Sequence, residues 1–167
     1  MFLSRHKVYG LNITDTIKMI NGIEHVGLSV SDLERSVDFY CRNLGCKVVR
    51  ILEGNTNPLL GRITGMPGCV ARIAHLKSGS NMIELFEYHK PKGKKIPEDF
   101  RQADNGFVHA GFRSSDVRND YLKLKVNGVQ FVSEPVEFRS GVWVCYFYGP
   151  DHEVCELRES EDNRETI

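Results

Sequence analysis

The 167-residue chain has no surplus of either charge: 22 Lys and Arg balance 22 Asp and Glu. Without a net basic field, nucleic acid and anionic membrane surfaces are poor partners. No apolar run approaches the ~20 residues that a bilayer span requires. The opening MFLSRHKVYGLNITDTIKM carries Arg and Lys but lacks the apolar core of a signal peptide, so a cytoplasmic protein is expected. No CxxC pair occurs among Cys41, Cys46, Cys69, Cys145 and Cys155. An odd count without such pairs argues against zinc ribbons and disulfide frameworks, and for reduced, mostly buried thiols. There is a single Trp, Trp143. What remains is ordinary for one soluble globular unit, or two small modules sharing a core: 41% hydrophobic and 26% charged residues.

The informative feature is a repeat. GIEHVGLSVSDLERSVDFYCRNLGCKVV aligns with GFVHAGFRSSDVRNDYLKLKVNGVQFV, each residue of the second opening lying 84 positions after its partner. Gly22 meets Gly106, His25 meets His109, Gly27 meets Gly111, and Ser31-Asp32 meets Ser115-Asp116. Each copy reads as strand, helix, strand. Val26, Leu28 and Val30 alternate with His25, Gly27 and Ser29, the period of a half-buried strand. Ser31 with Glu34 forms a capping-box pattern, apolar residues follow at helical spacing, and Gly45 is a natural stop. The second helix is expected to start at Ser115 and stop at Gly128. Strands are expected near Lys47–Leu52, Val70–Leu76, Met82–Tyr88, Val129–Val132, Val142–Tyr148 and Val154–Arg158. Each half is then βαβββ. The expected organisation is an extension over 1–20, a first module over 21–88, a charged linker over 89–105, a second module over 106–159 and a tail over 160–167. The loop Gly54–Gly68 is long for a strand connection. It is either a cover for a substrate or a surface loop.

The repeat extends to chemistry. Glu84 lies between Ile83 and Leu85, and Glu156 between Cys155 and Leu157. If the apolar neighbours enter the core, both carboxylates turn to the opposite face. The histidines follow the same logic, since Val26, Leu28 and Val30 make the better helix-packing face. Each half therefore offers one His and one Glu on the sheet face that its helix leaves open. Two halves related by a pseudo-twofold would unite His25, Glu84, His109 and Glu156. Two imidazoles and two carboxylates suit a divalent metal ion such as Zn, Ni, Co, Mn or Fe, and a cation relieves repulsion between the carboxylates. Further pocket candidates are Arg113 and Phe86, on the faces of His109 and Glu84. Trp143 stands equally well in core or pocket. His75, His89 and His152 have no repeat partner and read as surface or turn residues.

On GIEHVGLSVSDLERSVDFYCRNLG, NMIELFEY, GFVHAGFRSSD and YFYGPDHEVCELRE the chain resembles the vicinal oxygen chelate superfamily. This group includes glyoxalase I, methylmalonyl-CoA epimerase, extradiol dioxygenases and the fosfomycin- and bleomycin-resistance proteins. The resemblance spans about residues 21–159. It implies an α+β fold in which two βαβββ modules with mixed sheets form an open metal-binding cup. It places the metal ligands at His25, Glu84, His109 and Glu156, a set similar to that of bacterial glyoxalase I. Methylmalonyl-CoA epimerases usually carry Gln at the position of Glu84. After the Glu84 strand, Tyr88-His89-Lys90-Pro91 departs from the Asn-Trp-Gly-like stretch of glyoxalases. The implied activity is that of a lyase or isomerase removing a proton next to a carbonyl, with Glu156 as principal base and Glu84 as second. The alternatives are a metal-dependent dioxygenase and a small-molecule-binding resistance protein. The implied substrate is a small molecule with adjacent oxygens, a 2-oxo thioester or hemithioacetal, and the implied assembly is a homodimer.

Overall fold

A computed structural model of the chain describes residues 22–159. The expected extension over 1–20 and tail over 160–167 lie outside the described residues. The elements run β1 (His25–Ser29), α1 (Leu33–Leu44), β2 (Lys47–Asn55), α2 (Pro58–Thr64), β3 (Val70–Ser78), β4 (Asn81–Lys90), β5 (Ala110–Arg113), α3 (Val117–Val126), β6 (Val136–Arg139), β7 (Val142–Tyr148) and β8 (Val154–Arg158). They form two four-stranded mixed sheets of identical order, β1-β4-β3-β2 and β5-β8-β7-β6. In each, the first strand pairs in parallel with the last and the remaining pairings are antiparallel. The α+β, two-module architecture expected from the repeat is the one observed.

Local chemistry explains most boundaries and corrects some of the expected ones. The N-cap of α1 is Asp32, whose carboxylate accepts from the Arg35 backbone N–H at 2.9 Å. Ser31 is therefore no capping-box residue. Its backbone N–H and hydroxyl both donate to Asp151 of the second half. Helix α3 likewise starts after Asp116, which accepts from Asn119 N–H at 3.0 Å, not at Ser115. The α1 helix ends at Gly45, whose φ of 68° is costly for any residue with a Cβ. The expected strand Val129–Val132 is not formed. Val129 is a buried plug, and Phe131 makes a single bridge to Phe147. The pairing position on the second sheet's edge is taken by β6, exposed along its whole length. The long loop is not structureless, because it contains α2, with Asn57 accepting from Leu59 N–H and Gly65 closing the helix.

Helices α1 and α3 each pack on one face of their own sheet, and the two halves share one core. Leu33, Tyr40, Leu76, Leu85, Val117, Cys145, Phe147 and Cys155 are almost fully buried in it. Four of the five cysteines are buried and all are free. Apolar surroundings push the Cys155 thiol up to about 12 and the Cys145 thiol to about 11, so both are inert fillers.

The halves are also latched by polar contacts. Tyr40 on α1 donates its hydroxyl to Glu153 Oε1 at 2.7 Å. Arg35 reaches Asp151 at 2.7 Å, and Asn127 reaches Asn43 at 3.0 Å. Burial alone would push the Asp151 carboxyl up. The Ser31 hydrogen bonds and Arg35 outweigh it and bring the group below its usual range. Within the first half, Arg72 gathers Glu34, Glu53 and Glu87 and so ties α1 to β2 and β4.

Candidate metal-binding and catalytic site

Strand pairing alone aligns the chemistry. In the first sheet Gly27 is opposite Glu84, and His75 is opposite Glu84 on the other side. In the second, Gly111 and Tyr146 flank Glu156 in the same way. Directly opposed residues share a face. His25, His75, Glu84 and Phe86 therefore lie together, away from α1, and so do His109, Gly111, Arg113, Tyr146 and Glu156.

The side chains complete the pairs. His25 Nε2 faces Glu84 Oε2 at 3.5 Å, and His109 Nε2 faces Glu156 Oε2 at 3.7 Å. Both carboxylates are largely buried and both histidines reach the surface. The remaining ring nitrogens fix the tautomers. His25 Nδ1 is held by the Glu24 carboxylate, which can only accept. Gln102 donates its amide N–H to the Val108 carbonyl at 3.0 Å, so its oxygen faces His109 Nδ1 at 3.2 Å as acceptor. In the neutral form of each ring Nδ1 is thus the donor, and the lone pair is on Nε2, the nitrogen that faces a carboxylate. The Glu24 hydrogen bond holds the His25 pKa above its ordinary value, against partial desolvation and with help from Glu84.

A lone pair and a carboxylate oxygen facing one another without a proton between them suit a cation. Two ligands each about 2.1 Å from one metal ion stand about 3–3.5 Å apart, close to the spacing in both pairs. An outer partner on the second imidazole nitrogen is the usual arrangement of a metal-ligating His. The four residues expected to be ligands therefore lie as two matched His–Glu pairs, not as one quartet. Among the described residues no three or more His, Cys, Asp or Glu side chains converge as a ready metal site. His25 and His109 do border one open groove of about 1140 Å³ between the edge strands β1 and β5.

The softer candidates divide. Arg113 lines the same groove as both histidines. Phe86 lies on the Glu84 face, stacked on Tyr88 at 5.8 Å. Trp143 does not belong with them. It points to the helix side of β7, where the Arg118 guanidinium lies 4.5 Å from its ring. Strand alternation requires this, because Tyr146 on the Glu156 face lies an odd number of residues away. His75 was the residue missed. It is no surface residue but sits on β3, 7% exposed, with Nε2 3.4 Å from Glu84 Oε1. His152 does occupy a turn, with a φ of 67°.

The two glycines beside the carboxylates are not equivalent. A Cβ at Gly111 would stand 3.1 Å from Glu156 Oε2, whereas one at Gly27 would make an ordinary 3.7 Å contact with Phe86. Gly111→Ala should displace the Glu156 carboxylate, and any divalent-metal retention that depends on this carboxylate should fall about tenfold. Gly27→Ala should leave it unchanged. Competition with a chelator measures both.

The model of the glyoxalase/bleomycin resistance protein/dioxygenase superfamily matches residues 22–157. The chain belongs to this superfamily. Within the superfamily it is 28% identical over 139 residues to a 2-epi-5-epi-valiolone epimerase from Actinomyces, covering 77% of this chain and 73% of that protein. Its fold matches a glyoxalase family protein from Bacillus cereus at a TM-score of 0.74, with 20% identity over 83% of this chain and 93% of that one. Glyoxalase I from Leishmania major, described as trypanothione-dependent, matches at a TM-score of 0.63 and 22% identity, over 86% of this chain and 89% of that one. Superfamily relatives of this chain thus include an epimerase, and proteins of its fold include glyoxalase I. No helix among the described residues is long and apolar enough to cross a membrane.

Proposed function

We propose that the chain is a divalent-metal-dependent isomerase or lyase that moves a proton on the carbon next to a carbonyl. The observation that carries this reading is the pair of equivalent His–Glu contacts, each with Nδ1 occupied by an outer partner and Nε2 turned to the carboxylate. His25, Glu84, His109 and Glu156 would hold Zn, Ni, Co, Mn or Fe, all of which accept this donor set. When bound, such an ion supplies a Lewis acid for two adjacent oxygens of the substrate. Glu156 takes the proton from carbon as general base. Glu84, contributed by the other half and carrying a proton at the start of that turnover, gives it to the opposite face, and exchange with solvent resets both carboxyls. Two bases on opposite halves address opposite faces of a planar carbon, which suits epimerisation, and the Actinomyces relative supports that branch over the lyase. Arg113 offers its cation to an anionic group of the substrate. The substrate class is a small molecule with adjacent oxygens, such as a 2-oxo thioester or hemithioacetal, and the working assembly is a homodimer in the cytoplasm.

Elemental analysis of purified protein, repeated after reloading with each metal, tests the reading. Bound metal in the wild type and its loss in both His25→Ala and Glu156→Ala are expected. A wild type that neither contains nor takes up any of the five ions would overturn it, and a metal-free small-molecule binder would then be the better account.

A further inference from the structure

The two half-sites differ in one respect. Glu156 is opposed on β7 by Tyr146, whereas Glu84 is opposed on β3 by His75. His75 is in turn opposite Arg50 on β2, and Arg50 Nε donates to His75 Nδ1 at 3.0 Å. An arginine Nε–H can only donate, so His75 Nδ1 must accept. The proton of the neutral ring is then on Nε2, the atom 3.4 Å from Glu84 Oε1. This is the opposite tautomer to that of His25 and His109. His75 has no free lone pair for a cation: one nitrogen is occupied by Arg50 and the other carries hydrogen. It does place that nitrogen 3.4 Å from a carboxylate oxygen, within ion-pair reach.

We infer that His75 is a positioning residue for Glu84, with Arg50 setting its tautomer. The contact engages Oε1, leaving Oε2 as the oxygen that faces His25. Arg50, His75 and Glu84 form a row across three adjacent strands, β2, β3 and β4, so the backbone ladder fixes their order. The row has no counterpart behind Glu156, where a tyrosine takes the place of the imidazole. Glu84 is accordingly the carboxylate of the two that has an imidazole opposite it on the neighbouring strand. The inference rests on the metal-site reading above, and its test separates the two.

The experiment measures Co²⁺ binding, by chelator competition and by the visible spectrum of the loaded protein. His75→Phe keeps a flat ring and removes the N–H. It should weaken Co²⁺ about 10–100-fold, as expected for losing a ligand's outer partner, and alter the spectrum. His75→Gln restores an N–H donor and should recover most of the affinity. Arg50→Met releases the tautomer and should weaken binding in the same direction by less. A merely structural role would lower thermal stability in these variants without the recovery by Gln or the spectral change. Wild-type binding with unchanged affinity and spectrum in His75→Phe overturns the inference and leaves the metal site standing. A wild type that binds no Co²⁺ overturns both. Should His75→Phe fail to fold, Arg50→Met decides, and unchanged affinity there counts against the inference.

Discussion

A Glu156→Gln variant should fold as the wild type does and lose about 10²–10⁴ of its turnover, the usual worth of a general base. The substitution keeps the side chain's size and one carbonyl oxygen, so the packing of β8 against β5 and β7 is preserved. It removes the carboxylate that faces His109 Nε2. The measurement is deuterium uptake from solvent at the carbon next to the carbonyl, read beside the metal content of the same sample. Full uptake together with full metal content would remove Glu156 from the role of base. The corresponding Glu84→Gln variant should slow return of the proton more than its removal, which shows as solvent deuterium entering unreacted substrate faster than epimerised product forms.

Tyr40→Phe should cost about 1.5–3 kcal/mol, the range for a hydrogen bond to a charged group. In a domain of this size each kcal/mol lowers the melting temperature by about 2–4 °C. Tyr40 is fully buried and its hydroxyl holds Glu153, which accepts from Asp151 N–H as well. The cost carries a pH signature. Burial raises the Glu153 pKa above its unfolded value of 4.5, although the hydrogen bonds from Tyr40 and the backbone pull it back. A carboxyl with a raised folded pKa is held most favourably at low pH. Its penalty grows as pH rises from the unfolded value through the folded one. Removing the Tyr40 hydroxyl raises the folded pKa further. The gap between wild type and variant should therefore widen from pH 4 to pH 7, followed by thermal unfolding at both. A gap independent of pH would mean that lost packing, not the carboxylate, sets the cost.

The repeat made the two-sheet fold legible because duplicated strands carry duplicated alternation. Strands β7 and β8 begin and end where that alternation does. Strand β6 was illegible for a physical reason: Val136, Glu137, Phe138 and Arg139 are all exposed on a sheet edge, where no buried face imposes a period. Its neighbour Val129–Val132 imitated a strand by composition alone. At the site, the repeat exposed His25, Glu84, His109 and Glu156 and by the same logic concealed His75. The counterpart of His75 is Tyr146, so comparing the halves gave it no support. A different signal was present. Counting back equally from the Gly79-Ser80 turn sets His75 opposite Glu84, the register that the β3–β4 hairpin adopts. Trp143 remained open in the sequence because a lone aromatic in a strand marks neither face until a neighbouring residue is assigned.

The parallel pairing of β1 with β4, and of β5 with β8, places each histidine and its glutamate on adjoining strands of one sheet. Each half is thus a finished two-pronged claw whose bite is set by the backbone ladder. The approach of one claw to the other is governed by different residues: Tyr40, Arg35, Asn43 and their partners on the helix side. The geometry within each His–Glu pair and the separation of the two pairs are consequently set by different contacts. The latch residues act on the claws through the core that both halves share, which includes Leu33, Tyr40, Phe147 and Cys155. In a duplicated module of this kind, strand register sets what happens within a half, and helix-side contacts set how the halves meet.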